Sequence, residues 1–415
     1  MRSFSNFLML AFVCLLTANL TPAQTSGADS VQSSVAVNTL SAAQVAEKLS
    51  EARRLLESET VVVDGDWRVA LATLDPRTSE IGVLTVSKES FLTEGGVFVL
   101  NTRAGKSLRL RVVRPNYVNT AVTVTDVATG RSMIPLLVKY PIERDGAWAE
   151  NAYYTSAHPA LISPAVVAEG HRYLATMFAK ATAELSSNGV SIPADLVEVA
   201  KHLVIVEHTD HKRFKEEDDA GIYPEVLALY ALNQGNTFRY SVSSAGAGGM
   251  IQMIPKTYAA IREHHPGVRL EADFVTGMRN HANALKAMLL YIDDTWKHLE
   301  GTDEAQSALR SGIATKSQLL AAGYNSNPYR LAGYLEDGGS GWRTLIPAET
   351  QMYLRIYQSV DSNVQFSGSP AVATAEATST HVAFGTSLVQ RTTSMLVSWV
   401  GNLLPKPALP SLNLR

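Results

Sequence analysis

The sequence predicts a multidomain α+β chain, with a β-rich accessory domain at the N-terminal end followed by an all-α domain. Three observations carry this. From residue 60 to about 140, apolar residues alternate with polar ones in short runs separated by turn residues. From Pro164 onward the apolar spacing changes to three and four, the period of a helix. The chain has 415 residues, 46% of them hydrophobic and 18% charged, which gives room for two or three domains with a substantial core. The formal net charge of -3, with no basic run and no aromatic–basic interleaving, gives no support to a nucleic-acid partner.

In chain order, residues 1–24 read as a secretory signal. Arg2 gives the positive end, 7–16 is an apolar run too short for a good membrane span, and Thr21-Pro-Ala23 offers small residues for cleavage. The expected placement is therefore across an inner membrane, in the periplasm or cell envelope. Cys14 is the single cysteine and lies inside that run, so a mature chain would hold no disulfide and no thiolate chemistry. Residues 25–59 read as a disordered stretch ending in a short helix over 41–56, with Ser41 as its cap.

The β-rich domain is expected over 60–145, with strands at 67–74, 81–86, 97–100, 108–112 and 120–125. The helical domain is expected over 160–360, with helices at 165–186, 193–208, 224–233, 255–263, 273–299, 316–324 and 348–360. Pro193, Pro224 and Pro255 each stand where proline starts a helix well. Residues 361–415 read as a Ser/Thr/Ala-rich linker and tail, with a short docking helix near 388–404. Nothing in the β-rich runs or the tail carries a specific chemical signal; a cell-envelope protein partner through either, or a purely structural role, stays open.

Within the helix expected at 193–208, Leu196, Ala200, Leu203 and Glu207 step by four, three and four residues. A carboxyl thus stands on an apolar stripe at a helix end, where burial raises its pKa and keeps it protonated. That is the state a general acid needs. The bland alternative is a rim Glu bonded to a neighbouring element. Glu225 is a weaker candidate, because a first-turn Glu is accounted for by the helix dipole. His208-Thr-Asp-His211 places two histidines three apart, and Asp210 or His202 stand close by. The spacing is not that of a metalloprotease motif, and no metal is expected. His264 and His265 stand at a helix end, where donors suit the last carbonyls.

Three segments share a pattern. Gly246-Ala-Gly-Gly-Met-Ile-Gln252, with Pro255 and Thr257, resembles the soluble lytic transglycosylase run G-A-x-G-L-M-Q-x-x-P-x-T. Ala321-Ala-Gly-Tyr-Asn-Ser-Asn-Pro328 resembles A-A-Y-N-A-G-P with one extra Gly, and Ile346-Pro-Ala-Glu-Thr-Gln-Met-Tyr353 resembles L-P-x-E-T-x-x-Y. The order is the family's own, and the resemblance covers about residues 193–360. It implies a goose-lysozyme-like helical (SLT) domain acting on peptidoglycan glycan strands without a cofactor. It also implies that Gly246 and its neighbouring glycines let the backbone approach sugar, that Met250 forms an apolar wall, and that Gln252 lies beside the glycan. Tyr324 and Asn325 correspond to the pair facing the acid, and Tyr353 to the late tyrosine bordering the cleft.

In that family the acid ends a helix about a dozen residues before the Gly-Ala turn, a position held here by Gln234. Three readings follow: an insertion makes Glu207 the acid, Gln234 marks a non-catalytic glycan binder, or another carboxylate such as Glu225 serves. The favoured reading is a lyase that cuts the MurNAc-β-1,4-GlcNAc bond and forms 1,6-anhydromuramoyl ends, with Glu207 as acid and base. A hydrolytic muramidase is the rival enzyme and needs a second carboxylate, for which Asp210, Asp218 and Asp219 are the candidates.

Overall fold

The computed structural model describes residues 40–366 apart from 64, 65, 145 and 218; the expected signal and nearly all of the expected tail lie outside the described residues. Helix α1 (Ala42–Glu57) opens on the expected Ser41, which forms a capping box with Gln44. Eight antiparallel strands follow: β1 (Val62–Val63), β2 (Asp66–Leu74), β3 (Ile81–Ser87), β4 (Val97–Asn101), β5 (Ser107–Arg114), β6 (Ala121–Asp126), β7 (Ser132–Arg144) and β8 (Ala147–Tyr154). The short helix α2 (Lys88–Phe91) joins β3 to β4. The sheet order is β1-β2-β7-β6-β5-β4, with β3 paired to β2 and β8 paired to β7.

Strand β2 is buried on both faces, and its alternation explains why. Val69 and Leu71 join Leu84, Leu108, Leu110, Val124 and Tyr140 in one core, while Ala70, Ala72 and Leu74 face Val45, Ala52 and Leu56 of α1. Lys139 locks α1 down: its ammonium donates to the carbonyls of Leu56, Glu57 and Glu59 at 3.0, 3.1 and 2.6 Å, the free acceptors of a helix end. The five expected strands occur within two residues of their expected bounds. Strands β1, β7 and β8 are additions. Pro135 and Pro141 within β7 argue against a strand from sequence, and the pairing that holds β7 comes from β2 and β8, residues far from it or beyond a turn.

The helical part comprises α3 (Pro164–Ser187), α4 (Ala194–Val206), α5 (His211–Glu216), α6 (Asp219–Asn233), α7 (Pro255–His264), α8 (Phe274–Arg279), α9 (His281–Glu300), α10 (Asp303–Arg310), α11 (Lys316–Asn325), α12 (Leu331–Gly338) and α13 (Ala348–Asn363). Three expectations are corrected. Helix α6 begins five residues before Pro224, which lies inside it; the lost N–H costs one bond to the carbonyl of Ala220 and the helix continues. The single helix expected over 273–299 is two, divided at Asn280, whose side chain caps α9. Helix α13 runs to Asn363, into the region expected to be linker. Helix α4 also carries no narrow stripe. From Val199 to Val206 every residue is buried, because α4 packs against α3, α6, α9, α11 and α13 at once. Helices α3 and α6 cross so closely that a Cβ on Gly170 would sit 2.0 Å from the carbonyl oxygen of Leu227.

The sheet is not a loosely appended accessory domain. Leu229 of α6 completes the sheet's inner core, Leu232 joins the α1 layer, and Phe238 and Tyr240 pack beside them. Asn233 closes α6 onto the end of β8 with a reciprocal pair: the Thr155 N–H donates to its Oδ1 and its Nδ2 donates to the Thr155 carbonyl, both at 2.8 Å. Arg279 and Tyr240 both reach Glu150 of β8, at 2.9 and 3.2 Å. The described residues all fall in one compact unit.

Candidate active site

A cleft of about 1230 Å³ runs between the helical part and the sheet. Its helical wall holds Glu207, His208, Asp210, Arg213, Glu225, Phe238 and the backbone of Gly246, Gly248 and Gly249; its sheet wall holds Arg114 to Asn119, Tyr140 and Tyr154.

Glu207 is the C-cap of α4, and its N–H still donates to the Leu203 carbonyl at 2.9 Å, so the last turn of a buried helix fixes its backbone. Its side chain retains partial exposure at the cleft while protein surrounds the rest of it. This burial pushes the carboxyl from 4.5 up to about 8, against the opposing pull of the Tyr353 hydroxyl, which donates to Oε1 at 2.6 Å; the charge of Glu349 adds a smaller upward push. The carboxyl is therefore mostly protonated at neutral pH. Tyr353 is buried on α13, and its own phenol is held well above the ordinary range by burial and by the neighbouring Glu207.

Tyr324 on α11 donates to the carbonyl of Ile251 at 2.7 Å, tying the second motif to the Gly-Ala turn, and it also feels the charge of Glu207. Asn325 points elsewhere: its Oδ1 accepts from Thr350 Oγ1 at 2.8 Å, bracing α11 against α13. The three motif segments thus converge on one place, with Glu207 at its centre.

In the turn itself, Gly249 adopts φ +70°, and a Cβ there would lie 2.6 Å from the Met278 carbonyl oxygen, so glycine is demanded twice. The expected roles of two neighbours differ from their positions. Met250 is fully buried in the helical core and offers no side-chain surface to the cleft; its carbonyl instead accepts from His208 Nε2 at 3.1 Å. Gln252, at φ 45°, turns its amide inward to the Gly249 carbonyl at 2.8 Å and to Ser241 Oγ at 3.2 Å, so it braces the turn. Gly246 lies on the cleft wall.

His208 lies face to face with Phe238, ring centroids 3.4 Å apart. Burial pushes its pKa down to about 3, so the imidazole is neutral and donates to the turn. It does not contact Glu207 by hydrogen bond. Among the described residues no group of three or more His, Cys, Asp or Glu is placed to hold a metal ion. His202 lies in the core beside Tyr357, and His265 bonds Asp294 at 2.8 Å.

Of the other candidates, Asp218 and the Asp219 side chain lie outside the described residues, and the rest are occupied or away from the cleft. Gln234 is exposed, at φ 47°, in the 3-10 turn after α6, and does not line the cleft; the inward position beside it belongs to Asn233. Glu225 receives both guanidinium nitrogens of Arg213, at 2.6 and 3.0 Å. Asp210 is the N-cap of α5 and accepts from the N–H groups of Lys212 and Arg213.

Sequence reasoning overlooked the sheet wall, Phe238 and Tyr230. Tyr230, buried on α6, also senses the Glu207 charge, and its helical spacing read only as core. Phe238 had one available signal, its place just before the Gly-Ala turn. No family model, curated protein or solved structure matches the chain, so its functional assignment rests on the geometry of this cleft.

Proposed function

We propose that the protein is a peptidoglycan lytic transglycosylase, a lyase on the MurNAc-β-1,4-GlcNAc bond, with Glu207 as its one acid and base. The observation that carries the reading is a carboxyl held protonated near neutral pH at the end of a buried helix, bonded to Tyr353, and open to a cleft large enough for several sugars. Glu207 donates its proton to the leaving glycosidic oxygen as the C1–O bond breaks. Its carboxylate then accepts the proton of the muramoyl C6 hydroxyl as that oxygen bonds to C1. The acid is regenerated, and water is neither consumed nor released.

The described carboxylates that line the cleft beside Glu207 favour this lyase over a hydrolase. Among the described residues of the cleft, Glu143 pairs with Lys88, Glu225 with Arg213, and Asp210 caps α5, so each is engaged away from water activation. Tyr353 is a positioning residue, acting through Glu207. Gln234, exposed and off the cleft, gives the non-catalytic reading little to rest on. No cofactor or metal is required by this chemistry, the partner is the glycan strand, and the proposed site of action is the periplasm or cell envelope. Incubating the protein with purified peptidoglycan and analysing soluble products by mass spectrometry tests the reading: anhydromuropeptides are expected from the wild type and none from Glu207→Gln.

A further inference from the structure

We infer that the cleft receives a saccharide bearing carboxylates, and that Arg239 and Arg114 are the groups that bind them; this rests on the glycan-strand reading above. The cations of the cleft are unequal. Lys88, Arg213 and Arg279 are matched by Glu143, Glu225 and Glu150 respectively. Arg239 is not. Among the described residues no carboxylate lies within ion-pairing distance of its guanidinium, and its buried Nε has no hydrogen-bond partner. Its Cζ lies 5.8 Å from the ring of Tyr240, and its charge also reaches the neutral ring of His281. An Nε–H that has given up water without gaining a partner is a costly arrangement, and it is relieved when an anion arrives.

Arg114 stands at the end of β5 on the opposite wall, 43% exposed, with Asp210 4.0 Å away as its nearest carboxylate. The Asp210 Oδ1 is held by two N–H groups of α5, and Arg114 meets only Oδ2, at the long distance of 4.0 Å, with Glu217 as a more distant countercharge. Two guanidiniums thus face a common space from the helical part and from the sheet. Each presents a planar fork that matches a carboxylate with two hydrogen bonds. On a peptidoglycan strand carboxylates have two sources: the stem peptide, or the lactyl group where the peptide has been removed. A chitin oligomer offers the same sugar backbone with neither.

The test measures binding of the Glu207→Gln protein, which leaves the ligand intact, to three soluble ligands: peptide-bearing strands, strands stripped of peptide by an amidase, and chitin hexamer. Arg239→Gln is expected to weaken binding to carboxylate-bearing strands by about tenfold and to flatten its salt dependence, leaving the chitin affinity unchanged. Arg114→Gln, a substitution at an exposed position, is expected to act in the same direction. A loss confined to peptide-bearing strands assigns the stem peptide, a loss confined to stripped strands assigns the lactyl carboxylate, and a loss on both strand types assigns a site that accepts either carboxylate. Binding of all three ligands unaltered by either substitution would overturn the inference while leaving the cleavage reading intact. Failure of the unsubstituted protein to cut or bind any strand would overturn the cleavage reading itself.

Discussion

At the scale of single residues, the account turns on Glu207 and the groups that hold it. Its carboxyl is raised from 4.5 to about 8, so in the native state it keeps a proton that the unfolded chain releases. Stability from this group is thus fully present below about pH 4.5 and declines as pH rises towards 8. Glu207→Gln removes that dependence: in paired thermal melts at pH 5 and pH 9 the variant is expected to gain on the wild type at the higher pH. Activity should fall on the alkaline side, with a limb near pH 8, because the acid must be protonated. Tyr353→Phe deletes the one hydrogen bond that holds the Glu207 pKa down, so its alkaline limb should move to higher pH. Its rate should drop roughly tenfold or more. A lower rate with an unmoved limb would reduce Tyr353 to packing. Glu207 itself was legible in sequence as a charge at an apolar helical position. The reason for its burial was not, since the last two turns of α4 are buried all round by α3, α6, α9, α11 and α13, helices the local spacing cannot reveal.

At the scale of elements, the Gly-Ala turn is the best example of a motif whose residues do different work from their expected roles. Met250 and Gln252 brace the turn from inside, and only the glycine backbone meets the cleft. Gly249→Ala combines positive φ with contact against the Met278 carbonyl, and should cost about 2 kcal/mol or more in chemical denaturation. The loop after β5 supplies the opposite wall. Tyr117 there is 50% exposed, with φ 46°, an uncommon conformation for a bulky side chain that sets its ring at the cleft edge. Tyr117→Ala should raise KM for glycan strands several-fold with little change in kcat, since it removes a stacking surface from a residue remote from Glu207's hydrogen bonds. That loop was unreadable as a site because its meaning depends on a wall contributed by residues about a hundred positions later. Strands β2 to β6, by contrast, were visible in their period-two runs.

At the scale of the molecule, sheet and bundle share one structure. Leu229 and Leu232 of α6 belong to sheet cores, and Asn233 clasps Thr155. A fragment beginning at Ser156 would expose those leucines with Phe238 and Tyr240, and should be insoluble or molten on expression; a soluble, cooperatively melting fragment would restore the picture of an accessory domain. The order of sheet and bundle was legible from periodicity, whereas their union was not, because side chains such as Leu229 read equally well as helix core. The motif resemblance also left two residues competing for the acid's position, Glu207 as the acid and Gln234 as the mark of a non-catalytic binder. Only the packed chain separates them, one exposed on a turn and the other at the base of a cleft.

The central claim is that Glu207 alone carries both proton transfers of a non-hydrolytic cleavage. The most direct test is mass spectrometry of the products formed from purified peptidoglycan in water enriched in oxygen-18, using the wild type and Glu207→Gln. The account predicts 1,6-anhydromuramoyl ends without the heavy isotope from the wild type, and no product above background from the variant. Reducing ends carrying oxygen-18, or undiminished cleavage by Glu207→Gln, would contradict it.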